Sequence, residues 1–358
     1  KNQKLMKTHS LLLGCLILFL VSCSPKDKII EVYTCGVRGD TTSSVLSYEG
    51  VYWKSLTLNT IATPTPPDKK FGAIDLTMEG SDMYILGSLN LFTDNAQKTV
   101  YWKNGVINYL DRGASHSAAT DLHVEHGNIY VLVNDNLANL INMGYYKNGT
   151  YVAVSATQGV GKYGSQIFVF KDTVRIAGYQ YTGNFENTRP RLWVDGDEII
   201  LSTPAIRDGQ ATAVFVSEDG TTHVSGAITP DAALLISTPV YWRNGVYTAL
   251  PLSSGYEAGF ASSIFVEDGN VYIGGVQYDS GYNAVLTYWK NGVPYIIDNG
   301  VAGYSTVSKI AALNGNVYCI GFRDIRYSAA LWVNGSRVDL GSSGYQTYVY
   351  GLFVKYKD

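Results

Sequence analysis

The residues best suited to chemistry recur at one position of a repeated segment, just ahead of an apolar stretch. They are Asp75, Asp121, Gln166, Ala213, Ser263, Lys309 and Gly351. Asp75 and Asp121 fall in successive repeats. Two carboxylates held close together can share a cation, or act as the acid and base of glycoside cleavage if their separation fits. Lys309 supplies an ammonium that would neutralise them instead. The simpler expectation is a structural ion pair, with Asp75, Asp121, Gln166 and Lys309 ringing the mouth of a channel.

A second set of candidates lies between the repeats. Arg112, His116, Tyr163, Tyr181, Arg207, Tyr256, Tyr282, Arg323 and Arg326 occupy stretches that change from one repeat to the next. Tyrosine offers a flat stacking face and arginine a forked donor, which together suit a glycan, a peptide or a protein partner. Variable connections on a rigid scaffold are where recognition is usually built, so these residues are expected to form a ligand-binding face.

Metal and cofactor chemistry is not expected. His116, His123, His126 and His223 have no helical ligand spacing, and no cysteine cluster accompanies them. The sequence also has no Gly-x-Ser-x-Gly elbow, phosphate loop or dinucleotide fingerprint. Binding without catalysis is the leading expectation. The alternative is a polysaccharide hydrolase or lyase using the carboxylates at Asp75 and Asp121.

The elements that must position these residues follow from a repeat. One phrase recurs: Tyr52-Trp53-Lys54, Tyr101-Trp102-Lys103-Asn104-Gly105, Tyr145-Tyr146-Lys147-Asn148-Gly149, and Leu192-Trp193-Val194-Asp195-Gly196. Three more copies end in Asn244-Gly245, Asn291-Gly292 and Asn334-Gly335. Steps between the tryptophans, or Tyr146, are 49, 44, 47, 49, 47 and 43 residues. A second phrase, clearest at Ile264 to Gly275, precedes each copy after the first. Apolar runs on both sides of Asn-Gly or Asp-Gly are hairpin signals. Each period therefore holds four strands, a to d, with tight a–b and c–d turns.

The first tryptophan phrase has only a strand-b match ahead of it, Ile30 to Gly36, and Gly351 to Lys355 matches a strand a with nothing after it. Pairing the two would complete one shared unit and remove two unpaired edges. The expected fold is all-β: a seven-bladed β-propeller of four-stranded blades, closed by the C-terminal strand, forming one domain over 30–358. The tight turns would lie on one face and the long connections on the other. The tyrosines that recur at fixed positions are expected to pack between blades. Cys35 and Cys319 fall on consecutive strand-b positions of neighbouring blades, so they either meet across one interface or point apart; an export route permits a disulfide between them in the first case.

Composition agrees. The chain has 358 residues, 46% apolar and only 16% charged, with 37 glycines and 28 tyrosines. That excludes a disordered chain. A net charge of −3 with no basic run makes nucleic acid a poor partner.

Lys1, Lys4 and Lys7 precede an apolar run from Leu11 to Val21, the order of a secretory signal peptide. The run is too short to span a bilayer as a helix. It ends in Leu20-Val21-Ser22-Cys23, which resembles the lipobox of bacterial lipoproteins. That resemblance implies a signal peptide over 1–22, a lipidated Cys23 and a tether over 23–29. Tyr-Trp-Lys-Asn-Gly repeats behind such a box are similar to a group of bacterial secreted lipoproteins built as β-propellers. The resemblance implies a lipid-anchored place in the cell envelope, on the outer membrane and facing the periplasm or the exterior. An envelope protein is one partner it allows, and it brings no activity with it.

Overall fold

The structure, a computed structural model, describes residues 29–40, 48–62, 70–90, 97–110, 117–137, 140–154, 161–182, 187–230, 236–299, 305–323, 328–341 and 345–357. All its regular structure is strand. The chain opens with β1 (Ile30–Asp40), β2 (Tyr48–Lys54) and β3 (Thr57–Thr60). Next come β4 (Lys70–Glu79), β5 (Asp82–Asn90), β6 (Gln97–Lys103) and β7 (Val106–Leu110). The third group is β8 (Ser117–Glu125), β9 (Asn128–Leu137), β10 (Leu140–Lys147) and β11 (Thr150–Ala153). The fourth is β12 (Lys162–Phe170), β13 (Thr173–Thr182), β14 (Asn187–Val194) and β15 (Asp197–Ile200). Then follow β16 (Ile206–Val216), β17 (Thr222–Pro230), β18 (Thr238–Arg243) and β19 (Val246–Ala249). The sixth group is β20 (Ala258–Glu267), β21 (Asn270–Tyr278), β22 (Ala284–Lys290) and β23 (Val293–Asp298). The last strands are β24 (Thr306–Leu313), β25 (Asn316–Arg323), β26 (Ser328–Val333), β27 (Ser336–Asp339) and β28 (Tyr345–Tyr356).

The five middle groups each form an antiparallel sheet in chain order. The other eight strands form one sheet ordered β24-β25-β26-β28-β1-β2-β3, with β27 on β26. Within it β26 and β28 meet through a single parallel bridge, Ser328 to Thr347. By contrast, β28 and β1 pair antiparallel from Ile30–Tyr356 to Asp40–Tyr345. The inner strands pack in sequence: β4 on β8, β8 on β12, β12 on β16, β16 on β20, β20 on β24, β24 on β28, and β28 on β4.

Turn chemistry sets this pattern. Asn104, Asn148, Asn244, Asn291 and Asn334 adopt φ of 49–51°, and the glycines after them 81–83°. Two successive positive φ values close a two-residue hairpin with the twist of its strands. The asparagine side chain also ties the c–d turn to the a–b turn of its own sheet. Asn104 Oδ1 accepts the Met83 N–H at 2.8 Å, and its Nδ2 donates to Asp82 Oδ1 at 2.7 Å. Asn148, Asn291 and Asn334 repeat both bonds. Aspartate has no such donor, which explains why Asn recurs.

Each inner strand carries a register shift at one repeat position: Ala73/Asp75, Ala119/Asp121, Gly164/Gln166, Ala211/Ala213, Ala261/Ser263, Val307/Lys309, and in β28 opposite Cys35/Gly36. A bulge inserts one residue and re-aims its neighbours, so all seven strands bend at the same level. Strand b supplies glycine opposite most of these bends. A Cβ on Gly226 would collide with the Gln210 carbonyl oxygen, and one on Gly321 with that of Thr306.

Between sheets, Trp102, Trp193, Trp242, Trp289 and Trp332 are fully buried with Tyr84, Tyr130, Tyr146 and Tyr272. The indoles also tie connections in place. Trp102, Trp242 and Trp289 donate Nε1–H to the carbonyls of Ala62, Ser202 and Pro251 at 3.1, 2.6 and 2.7 Å. Phenylalanine would fill the space without making that bond. Cys35 and Cys319 are buried free thiols in separate clusters, Cys35 with Phe71 and Leu76, Cys319 with Tyr272 and Leu286. Of the two arrangements that strand alternation allowed, they point apart.

Candidate functional site

The bulged level of the inner strands sets the column from Asp75 to Gly351 at one height on successively packed strands. Four members cap the inner strand of the next sheet. Asp75 Oδ2 accepts the Leu122 N–H at 3.3 Å, and Asp121 Oδ2 accepts that of Ile167 at 3.0 Å. Gln166 Oε1 accepts the Val214 N–H at 2.9 Å, and Ser263 Oγ that of Ile310 at 3.1 Å. Ala213 and Gly351 offer no acceptor, and a Cβ at Gly351 would lie 2.5 Å from the Leu76 nitrogen. Lys309 breaks the pattern by reaching inward, its Nζ 2.8 Å from Asp121 Oδ1 and 3.5 Å from Asp75 Oδ2.

The electrostatics follow from burial. Asp75 and Asp121 are 4% and 3% exposed. Burial pushes the Asp121 carboxyl well above the ordinary carboxylate range, the Lys309 ammonium opposes this, and the Asp75 carboxylate adds to it. Burial alone would favour a neutral Lys309 amine, but the carboxylates of Asp121 and Asp75 hold it protonated beyond its usual range. The cation between the two carboxylates is thus a side chain of the protein itself. Glycoside cleavage needs two carboxyls flanking a sugar with room between them. Here both are committed to backbone N–H groups and to one shared ammonium, the arrangement of a lock.

On the tight-turn side the repeat residues are also spent on structure. Lys54, Lys103, Lys147 and Lys290 lie 5.2–5.3 Å over the rings of Tyr33, Tyr84, Tyr130 and Tyr272. Glu125 accepts the N–H groups of Lys171 and Asp172 at 2.8 and 3.0 Å, as Glu79 does for Gly127 and Glu267 for Asn314. That cap brings Glu125, His126 and Asp172 within 4.8 Å of one another. Spacing along the sequence did not show this grouping. The cap repeats in sheets without the histidine, so it accounts for the grouping with no metal.

The candidates from the long connections divide three ways. Arg112, His116 and Arg326 lie outside the described residues. Several others are packed or paired. Tyr163 stacks on Tyr179 at 5.1 Å and 14°, and Tyr181 meets Tyr179 edge-on at 5.4 Å. Burial pushes the hydroxyls of Tyr163 and Tyr179 up. Arg207 Nε pairs with Asp208 at 2.9 Å, and Arg323 with Asp298 at 3.3 Å. The remaining two lie in separate connections, Tyr256 ahead of β20 and Tyr282 in the loop between β21 and β22. Tyr282 is 75% exposed and adopts a φ of 60°. Asp279 fixes that loop by accepting the Asn283 side-chain amide at 2.9 Å and the backbone N–H groups of Asn283 and Gly281 at 2.9 and 2.8 Å, bonds that lower its pKa. Beneath Tyr282 lies a cavity of about 190 Å³ lined by Ser237, Glu257, Tyr278 and Asp279. Sequence reading missed Tyr179 and Tyr278, which sit on strand b and become visible only through their loop neighbours.

No family model matches the chain, and no curated protein matches it in sequence. Solved structures do. The β-propeller domain of the Trilobed protease from Pyrococcus furiosus aligns with a TM-score of 0.53 at 9% identity, over 87% of this chain and 94% of that one. The fold is a β-propeller. An acylaminoacyl peptidase from Pyrococcus horikoshii gives 0.52 at 10% identity over 89% of this chain, which spans about half, 52%, of that protein. The periplasmic gluconolactonase of Pseudomonas aeruginosa gives 0.50 at 11% identity, over 90% and 99% of the two chains. These likenesses establish the propeller and carry no activity with them.

Proposed function

We propose that the chain is a lipid-anchored, non-enzymatic propeller of the cell envelope, one domain of seven four-stranded blades, that binds a partner through its long-connection face. The seventh blade is β28 with β1, β2 and β3. The β1–β28 ladder and the cyclic packing of the seven inner strands support that count. A binding role fits a ring whose carboxylates are already neutralised by Lys309.

The observation that carries the reading is Tyr282. An exposed aromatic held at positive φ is strained, and such strain concentrates at functional positions. Its loop is rigid and it overhangs a cavity the size of one sugar ring or one side chain, so the cost of ordering it on binding is already met. Ile29 lies on the opposite, tight-turn side, beside Lys54, Ser55 and Lys357. A tether from Cys23 reaches at most about 20 Å. Anchoring there would turn the Tyr282 face away from the membrane.

The test is binding of wild type and Tyr282→Ala to a panel of glycans and peptides, with thermal melts of both. The reading expects at least a tenfold loss for the variant at an unchanged melting temperature; equal binding would overturn it. Metabolic labelling with an alkyne fatty acid, lost in Cys23→Ser, tests the anchor separately.

A further inference from the structure

Two residues beyond the Asp75 ring, each inner strand presents a second residue on the same side, because side chains alternate along a strand. This layer reads Thr77, His123, Phe168, Phe215, Phe265, Ala311 and Phe353. Four of its rings stand in a row, with centroids 4.7 Å apart from His123 to Phe168, 4.8 Å from Phe168 to Phe215, and 5.2 Å from Phe215 to Phe265. Thr77 and Ala311 occupy the same layer elsewhere, so the scaffold does not require aromatics there. All four rings remain partly exposed.

Phe215 and Phe265 form one wall of a cavity of about 650 Å³ on the tight-turn side, with Val266 and Leu313 beside them. Its rim carries Glu218, Asp219, Glu267 and Asp268 against a single guanidinium, Arg243. His223, also in the lining, lies between Ser217 Oγ at 3.1 Å and Tyr241 OH at 2.7 Å. Asp219 and Glu267 are occupied by Thr221 and by the N–H groups of Asn314 and Gly315. Glu218 and Asp268 are the rim carboxylates left to face a ligand.

We propose that this cavity binds a small organic cation, an ammonium or guanidinium group on an apolar body. Aromatic faces attract a cation through their quadrupole, and the rim carboxylates supply the complementary charge. The volume lies in the range of small-molecule sites.

The experiment is isothermal titration of the full chain with phenyltrimethylammonium chloride, with benzyl alcohol as the neutral counterpart. Saturable binding of the cation alone is expected, weakened by 0.5 M salt. Phe215→Thr with Phe265→Ala copies residues the layer already contains and should weaken binding at least fivefold. Should that pair fail to fold, Glu218→Gln with Asp268→Asn reads the same site on the surface and should also weaken it. Tyr282→Ala should leave it unchanged, which separates this cavity from the face proposed above. No saturable binding by wild type, or equal binding of benzyl alcohol, or full affinity in the folded variants, would overturn the proposal.

Discussion

The Lys309 ammonium lies 2.8 Å from Asp121 Oδ1 although 188 residues separate them in the chain. An ion pair of that reach forms only if β24 and β8 face a common centre. Replacing Lys309 by Met leaves two buried carboxylates without a counter-charge. Removing one partner of a buried pair costs about 3–5 kcal/mol; with 23% of the Lys309 side chain exposed, a loss of about 2–4 kcal/mol is expected. Denaturant melts at pH 7 should show it. The loss should shrink at low pH, where the Asp121 carboxyl, raised by burial, takes up a proton, and in the triple variant with Asp75→Asn and Asp121→Asn. An unaltered melt for Lys309→Met would show that the pair is not a lock.

His123 gives the acid side of the stability curve. Burial lowers its pKa from 6.5 to about 4. The folded histidine stays neutral while the unfolded chain protonates, so its contribution is complete above about pH 6.5 and is lost as the pH falls toward 4. The loss is at most about 3.5 kcal/mol, since one pKa unit corresponds to about 1.4 kcal/mol. His223 is lowered as well, chiefly by burial, and acts in the same direction. Stability measured from pH 7 to 4 should therefore fall less steeply in His123→Phe, which continues the row of rings. Parallel curves would contradict the assignment.

Much of this was legible because turn chemistry is local. Asn104 and Gly105 declare a hairpin by their φ requirements alone, and its recurrence sets the period. The Asp75, Asp121 and Lys309 column could be placed at one level for the same reason. Its use could not: the bulge beside each member leaves its mark on another strand, as the strand-b glycine opposite it, and the Leu122 and Ile167 N–H groups it exposes belong to neighbouring sheets. Connection residues were harder still. Tyr163 and Arg323 look free in sequence, yet Tyr179 and Asp298 claim them, and nothing periodic pairs one irregular segment with another. The aromatic row did have a signal, since His123 stands where other repeats place phenylalanine.

The two cysteines should behave as structural thiols. Burial pushes the pKa of both upward, and the thiolate is the reactive form. Within residues 29–358, titration with a thiol reagent should find none in the native protein and two after denaturation without reductant. Fewer than two after denaturation would show a disulfide.

Trp242→Phe isolates the indole bond to the Ser202 carbonyl. Most of the packing survives, while a carbonyl loses its donor, so a loss of about 1–3 kcal/mol is expected. Hydrogen exchange should quicken at Ser202 and Tyr247, which share that connection through the Ser202 hydroxyl. An unchanged melt would mean that the indole serves as filler only.

Everything positional in this account depends on β28 lying against β1. Hydrogen exchange on the amides of 346–354 measures that directly. If the ladder joins the two ends of the chain, the amides of this segment that donate to β1 exchange as slowly as the ladder amides of the inner strands β4 and β20. Exchange at the rate of an unpaired strand, with β4 and β20 still protected, would show the ring to be open and would contradict the assignment of its faces.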